Sequence, residues 1–117
     1  MMGVMRSRNG GDVVAEILSR AGVTHVFGVT SVHNLPIYDA IDRTPSMQMV
    51  RMRHEQGATH AADAFARATG GLGVVLTSTG PGAANAVAGL YEAQYGSSPV
   101  LMITGQIETP FLGKGKG

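Results

Sequence analysis

The chain has no cysteine. This removes disulfides, thiolate metal centres and thiol nucleophiles, and it fits a cytoplasmic setting. Charge is also sparse. Charged residues are 15% of 117 and the formal net charge is +1, so the basic footprint of a nucleic-acid binder is missing and no such partner is expected. No apolar run is long enough to cross a bilayer, which leaves no expected membrane role. The opening Met-Met-Gly-Val-Met-Arg-Ser-Arg has no apolar stretch behind its basic residues, so it does not read as a signal peptide. The phosphate-cradling GK[ST] ending and the dinucleotide glycine fingerprint are absent, as is a nucleophile elbow, although composition leaves a Ser-His-Asp triad open. His54 and His60 stand six apart, off a common helical face, so no metal site is expected.

What is present is a chain long enough for one domain with a real core, 44% hydrophobic and rich in glycine, with 17 residues of that type. The glycines are not periodic and fall mainly where elements end, so they read as turns. Residues 1–10 read as a flexible tail. From Gly11 the pattern is helical, with Asp12 as a cap or first-turn acid, Val13, Val14, Ile17 and Leu18 on one face, and Gly22 as the stop. Residues 24–29 read as a strand and 30–34 as a polar loop, and Pro36 suits the first turn of a short helix reaching Asp42. Residues 47–52 read as a second strand. An alanine-rich helix runs to about Thr69, thin enough to lie close to a sheet or a partner helix, and Gly70-Gly71 ends it. Residues 73–78 read as a strand buried on both faces, 83–94 as a second small-residue helix, and 99–104 as a fourth strand.

This alternation predicts an α/β fold: three layers, a mostly parallel sheet with right-handed crossovers and helices on both faces. In such sheets ligands sit at the carboxyl ends of the strands. The loops there are Thr30–Asn34, Arg53–Gly57, Ser78–Gly82 and Gly105–Glu108, and they hold the unusual residues of the sequence. Glu55 stands at a strand-to-helix corner, where free N–H groups favour an anion. On position alone it is a first-turn acid that stabilises its helix. Thr79-Gly80-Pro81-Gly82 is either a tight connection or a loop that lets a ligand approach the backbone closely. His33 and His54 fall in crevice loops, where a histidine can move protons or simply face water.

The order of motifs goes further. Val26-Phe27-Gly28-Val29, Asn34-Leu35-Pro36, Arg53-His54-Glu55-Gln56-Gly57-Ala58, Ala64-Phe65-Ala66-Arg67-Ala68-Thr69-Gly70, Thr77-Ser78-Thr79-Gly80-Pro81-Gly82-Ala83-Ala84-Asn85 and Ile103-Thr104-Gly105-Gln106 follow one another along residues 11–108. Together they resemble the N-terminal pyrimidine-binding domain of thiamine diphosphate-dependent enzymes of the acetolactate synthase and 2-oxo acid decarboxylase family. The resemblance implies a flavodoxin-like strand order, incomplete at the C-terminal end, with residues 109–117 opening a truncated segment or linker.

The resemblance also implies roles. Glu55 would be the catalytic acid, bonded to the ring nitrogen of the cofactor's aminopyrimidine and promoting the tautomer that deprotonates the thiazolium carbon. Val29, Gly80, Pro81, Gly82 and Asn85 would line the pyrimidine pocket. Thr30, Ser31, His33 and Gln106 would stand on the substrate side. Mg2+ and the diphosphate would be held by a domain absent from this chain. The small-residue helices would meet a second copy, in a homodimer or higher oligomer, or a partner chain carrying the diphosphate-binding domain. The substrate would be a small 2-oxo acid, decarboxylated or joined to an acceptor, and the chain alone would be inactive. A split decarboxylase subunit, or a non-catalytic truncated module, would carry the same motifs. The chain departs from the family in its shorter length and in one loop, where Thr30-Ser31, followed by Val32-His33, stands in place of the proline-glycine that usually follows the first strand.

Overall fold

The computed structural model describes residues 7–115. The N-terminal tail reading therefore lies partly outside the described residues, as does the end of the Gly-Lys run at 113–117. The first helix, α1 (Gly10–Arg20), starts one residue earlier than the glycine pattern suggests. The reason is a reciprocal cap. The Asn9 side chain accepts from the Asp12 N–H at 3.1 Å, and Asp12 accepts from the Asn9 N–H at 2.9 Å.

Three further α/β steps follow. They are β1 (His25–Gly28), a 3-10 turn at Val32–Asn34, α2 (Leu35–Asp42), β2 (Gln48–Arg51), α3 (Glu55–Thr69), β3 (Gly73–Thr77), α4 (Pro81–Tyr95) and β4 (Val100–Thr104), with a second 3-10 turn at Thr109–Phe111. The sheet is parallel throughout, in the order β2-β1-β3-β4. The chain builds outward from β1 to β2, then crosses back to lay β3 on the other flank of β1. The strand ends of β1 and β3 are thus a topological switch point, where side chains from both directions of winding leave a crevice.

Strand alternation divides the core between the two faces. Val26, Val74 and Leu76 face α1 and α2, where Leu18, Tyr38, Ile41 and Met49 bury against them. Val75 faces the other way and packs with Ala58 and Ala62 of α3, with Phe27 and Met102 at the margin. Each fully buried Val, Leu or Ile contributes about 1.5–3 kcal/mol of apolar transfer, so the β1/β3 pair anchors the domain. Every residue of β3 is buried, as its two-sided apolar character predicts, whereas the edge strand β4 leaves Leu101 exposed.

The alanine-rich helices lie as close as their composition allows. A Cβ on Gly73 would sit 2.1 Å from the Ala62 carbonyl oxygen, so only glycine lets β3 start against α3. α4 stacks mainly on α3 rather than on the sheet. There a Cβ on Gly89 would fall 2.6 Å from the Thr59 Cβ, which shows the helix backbones nearly touching through glycine. The far end of this pair is tied by Arg67, which donates to both carboxylate oxygens of Asp63, at 2.9 and 3.1 Å, to the Ser98 hydroxyl and to the Glu92 carbonyl. The Ser98 hydroxyl and then Arg67 hold the Asp63 carboxyl below its ordinary range.

Candidate functional site

The boundary residues of α3 and α4 bring the site together. α3 begins at Glu55 itself, so the stretch read as a loop to Gly57 is already helix. His54 is the cap, its Nδ1 accepting from the Gln56 N–H at 3.0 Å. That bond gives His54 a structural task. α4 begins at Pro81, because Gly80 turns the chain with φ 56 and ψ −116 and proline fixes the first helical position. Gly82 is therefore inside the first turn of α4 and buried there.

The half-buried Glu55 carboxylate lies between the two helix starts. Asn85 Nδ2 donates to Glu55 Oε2 at 3.2 Å. On the other side, a Cβ on Gly82 would stand 3.2 Å from Glu55 Oε1 and 3.0 Å from the Ser78 Cβ. Glycine thus lets the first turn of α4 pack against both Ser78 and Glu55. Both helices present N–H groups and the positive end of their dipoles to this corner, which stabilises the ionised carboxylate.

The remaining predicted residues divide. Gly80 and Pro81 are exposed and shape the turn into α4. Val29 is half-buried, and its carbonyl accepts from Asn34 Nδ2 at 3.4 Å. Thr30 is exposed. Ser31 and His33 form a second polar group across the switch point. Ser31 Oγ and Ser78 Oγ are 2.7 Å apart, and His33 Nδ1 is 3.4 Å from each hydroxyl. Gln106 is exposed; its Oε1 accepts from Thr79 Oγ1 at 3.3 Å and from the Ile107 N–H at 2.8 Å. Beneath this loop the Tyr38 phenol is raised above 10.0, first by burial, and is neutral throughout the physiological range.

Two residues outside the predicted set hold the site. Ser78 touches both groups, bonded to Ser31 on one side and against Gly82 beside Glu55 on the other. Asn34 is fully buried, its Oδ1 accepting from the Ser31 N–H at 3.0 Å, and it pins the loop after β1. The Ser-x-x-Asn spacing is a cap pattern that could have shown Asn34 in advance. Ser78 carries no such local signal, because its importance comes from two chain segments meeting. Among the described residues, no group of three or more His, Asp or Glu side chains is placed to hold a metal ion.

The fold is a parallel α/β domain with a carboxylate held between two helix N-termini. The chain belongs to a known family: residues 8–116 match the domain described as "Thiamine pyrophosphate enzyme, N-terminal TPP binding domain". Among similar proteins, an acetolactate synthase of Arthrospira platensis is 49% identical over 107 residues, covering 89% of this chain and 18% of the relative. The acetolactate synthase large subunits of Porphyra purpurea and of Lactococcus lactis subsp. lactis (strain IL1403) are each 42% identical, each covering 91% of this chain and 18% of the relative. The chain thus spans under a fifth of the length of these relatives.

Proposed function

We propose that this chain is the pyrimidine-binding part of a thiamine diphosphate-dependent enzyme that acts on a 2-oxo acid by decarboxylation, carboligation or both, in the manner of acetolactate synthase. The observation that carries the proposal is the Glu55 carboxylate at the start of α3, with Asn85 of α4 donating to Oε2 and Gly82 beside Oε1.

Thiamine diphosphate supplies, when bound, an acidic thiazolium carbon and an electron sink for the carbanion left by loss of carbon dioxide. The protein's part is proton placement. Glu55 holds a proton at Oε1 and shares it with a ring nitrogen of the aminopyrimidine. Asn85 keeps Oε2 occupied, so the proton is directed to the other oxygen. Gly80, Pro81 and Val29 shape the pocket rim. Thr30, Ser31, His33 and Gln106 stand on the substrate side.

The diphosphate and Mg2+ fall to a diphosphate-binding domain outside this chain, and the chain alone is inactive. The outward face of α4 supports a partner there. Val87, Tyr91 and Tyr95 are exposed by 45%, 62% and 87%, a stripe of large side chains at helical spacing. That stripe suits a second copy or the chain that carries the diphosphate half. No helix among the described residues is long and apolar enough to cross a membrane.

Calorimetric titration with thiamine diphosphate and Mg2+ tests the reading. Saturable binding to the chain joined with its diphosphate-binding portion, and loss of most of that binding when either is absent, is the expected result. Equal binding by the diphosphate-binding portion alone would overturn it.

A further inference from the structure

The helix pair that carries the site has a seam built almost without side chains. α4 buries Gly82, Ala86, Gly89 and Ala93, and α3 buries Ala58, Thr59, Ala62, Asp63 and Ala66. Surfaces this smooth interdigitate poorly, so the helices can roll or slide unless something interlocks them. At the far end Asp63 and Arg67 supply that lock. Toward Glu55, the β-branched side chain among these buried residues is Thr59, and it is fully buried.

Thr59 is held on two sides. Its hydroxyl donates to the Glu55 carbonyl at 2.9 Å, one turn back along α3. A helical threonine divides between two rotamers, and a bond to the carbonyl four residues back selects one of them. The rest of the side chain then meets α4. A Cβ on Gly89 would lie 2.6 Å from the Thr59 Cβ and 2.7 Å from its Cγ2. Two carbon atoms therefore rest on the bare Gly89 backbone, and a two-point contact fixes roll as well as separation. Glu55 precedes Thr59 by four residues, and Asn85 precedes Gly89 by four. The helices thus meet twice in one register: through Thr59 and Gly89, and one turn nearer their N-termini through the 3.2 Å bond from Asn85 Nδ2 to Glu55 Oε2. Roll at the first contact is carried to the second.

We propose that Thr59 is a positioning residue for the Glu55 carboxylate: its Cβ and Cγ2, seated on Gly89, hold α4 at the roll and spacing that keep Asn85 on Oε2. The assignment rests on the reading of Glu55 as the group that activates the cofactor. The methyl carries the role and the hydroxyl aims it. Without the hydroxyl, the Glu55 carbonyl still has its helical bond from the Thr59 N–H. Valine puts methyl groups at both branch positions and preserves the seat on Gly89. Serine preserves the hydroxyl bond and empties the place of Cγ2. A threonine that merely satisfied its own buried hydroxyl would rank these two replacements the other way.

The chain by itself gives the first readout. Thr59→Val, Thr59→Ser and Thr59→Ala are compared with the parent through the NMR signals of the Asn85 side-chain amide, which Asn85→Asp identifies. The expected result is a parent-like signal in Thr59→Val and a displaced one in Thr59→Ser and Thr59→Ala. The second readout is hydrogen–deuterium exchange at the thiazolium carbon of thiamine diphosphate, in the enzyme assembled with the diphosphate-binding portion. Exchange should slow about tenfold or more in Thr59→Ser, with cofactor affinity within about twofold of the parent, and stay near the parent rate in Thr59→Val. If Thr59→Ala fails to fold, the valine and serine variants still decide. An unmoved Asn85 amide in Thr59→Ser, or a Thr59→Val as impaired as Thr59→Ser, would overturn the proposal. Glu55→Gln in the same exchange assay separates the two readings. Slow exchange there beside a parent-like Thr59→Ser sinks the Thr59 assignment alone. Exchange in Glu55→Gln as fast as in the parent sinks the Glu55 reading, and the Asn85 amide then decides the Thr59 contact independently.

Discussion

Two glycines in the α3/α4 pair offer a matched experiment on what holds Glu55 in place. Gly57 and Gly89 both lie inside helices at ordinary negative φ, and Ala is favoured over Gly there by about 1 kcal/mol. At Gly57 an added Cβ meets nothing within 4 Å, so Gly57→Ala should gain that propensity. At Gly89 the Cβ would stand 2.6 and 2.7 Å from the Thr59 Cβ and Cγ2 and 3.4 Å from the His60 N. Ordinary contact requires the helices to part by roughly 1 Å, and overpacking of that kind costs about 1–3 kcal/mol. The propensity gain is common to both variants, so their difference isolates the overpacking cost. At about 4 °C per kcal/mol for a domain of this size, Gly89→Ala should melt some 4–12 °C below Gly57→Ala. The contact matters beyond stability. Gly89 lies one turn from Asn85 and Thr59 one turn from Glu55, so parting the helices stretches the 3.2 Å Asn85–Glu55 bond past hydrogen-bonding range. Thermal melts give the first quantity, and the chemical shift of the Asn85 side-chain amide gives the second. Equal melting temperatures, or an unmoved Asn85 amide in Gly89→Ala, would refute the claim that glycine-mediated helix contact sets the Glu55 geometry.

Other outcomes follow from single contacts. Gly82→Ala should leave the melting temperature within a few degrees of the parent but weaken thiamine diphosphate binding severalfold in calorimetry, because its Cβ stands beside Glu55 Oε1. Asn34→Ala should cost about 1–3 kcal/mol in chemical denaturation, since it strips the partner from the Ser31 N–H. Asp63, held below its ordinary 3.8 by Ser98 and Arg67, contributes stability that is fully present above that value. This stability is lost as pH falls through the folded-state value, so melts at successively more acid pH should show a decline that Asp63→Asn flattens.

The elements were legible because they obey local rules. The two-sided apolar run at Gly73–Thr77 could only be a central strand, and the alternation of strands and helices left little choice but a parallel sheet. Helix starts were less legible. Glu55 and Pro81 each open a helix earlier than the alanine pattern suggests, because His54 caps one and the Gly80 turn launches the other, and neither device shows in hydrophobic periodicity. The four loops and the place of Glu55 among them were legible in the sequence, but not how those loops bond to one another. Ser78 joins the Glu55 corner to the Ser31 and His33 group through a partner 47 positions away, a separation no local pattern encodes. The side chain of Gln106 is exposed, and its orientation depends on Thr79, 27 positions earlier, which no local pattern shows.

The central claim is that the Glu55 carboxyl shares a proton with the cofactor's pyrimidine. The most direct measurement is hydrogen–deuterium exchange at the thiazolium carbon of thiamine diphosphate bound to the enzyme assembled from this chain and its diphosphate-binding portion. Fast exchange in the parent, falling by orders of magnitude in Glu55→Gln with the fold and cofactor binding retained, is the predicted result; exchange in Glu55→Gln as fast as in the parent would contradict it.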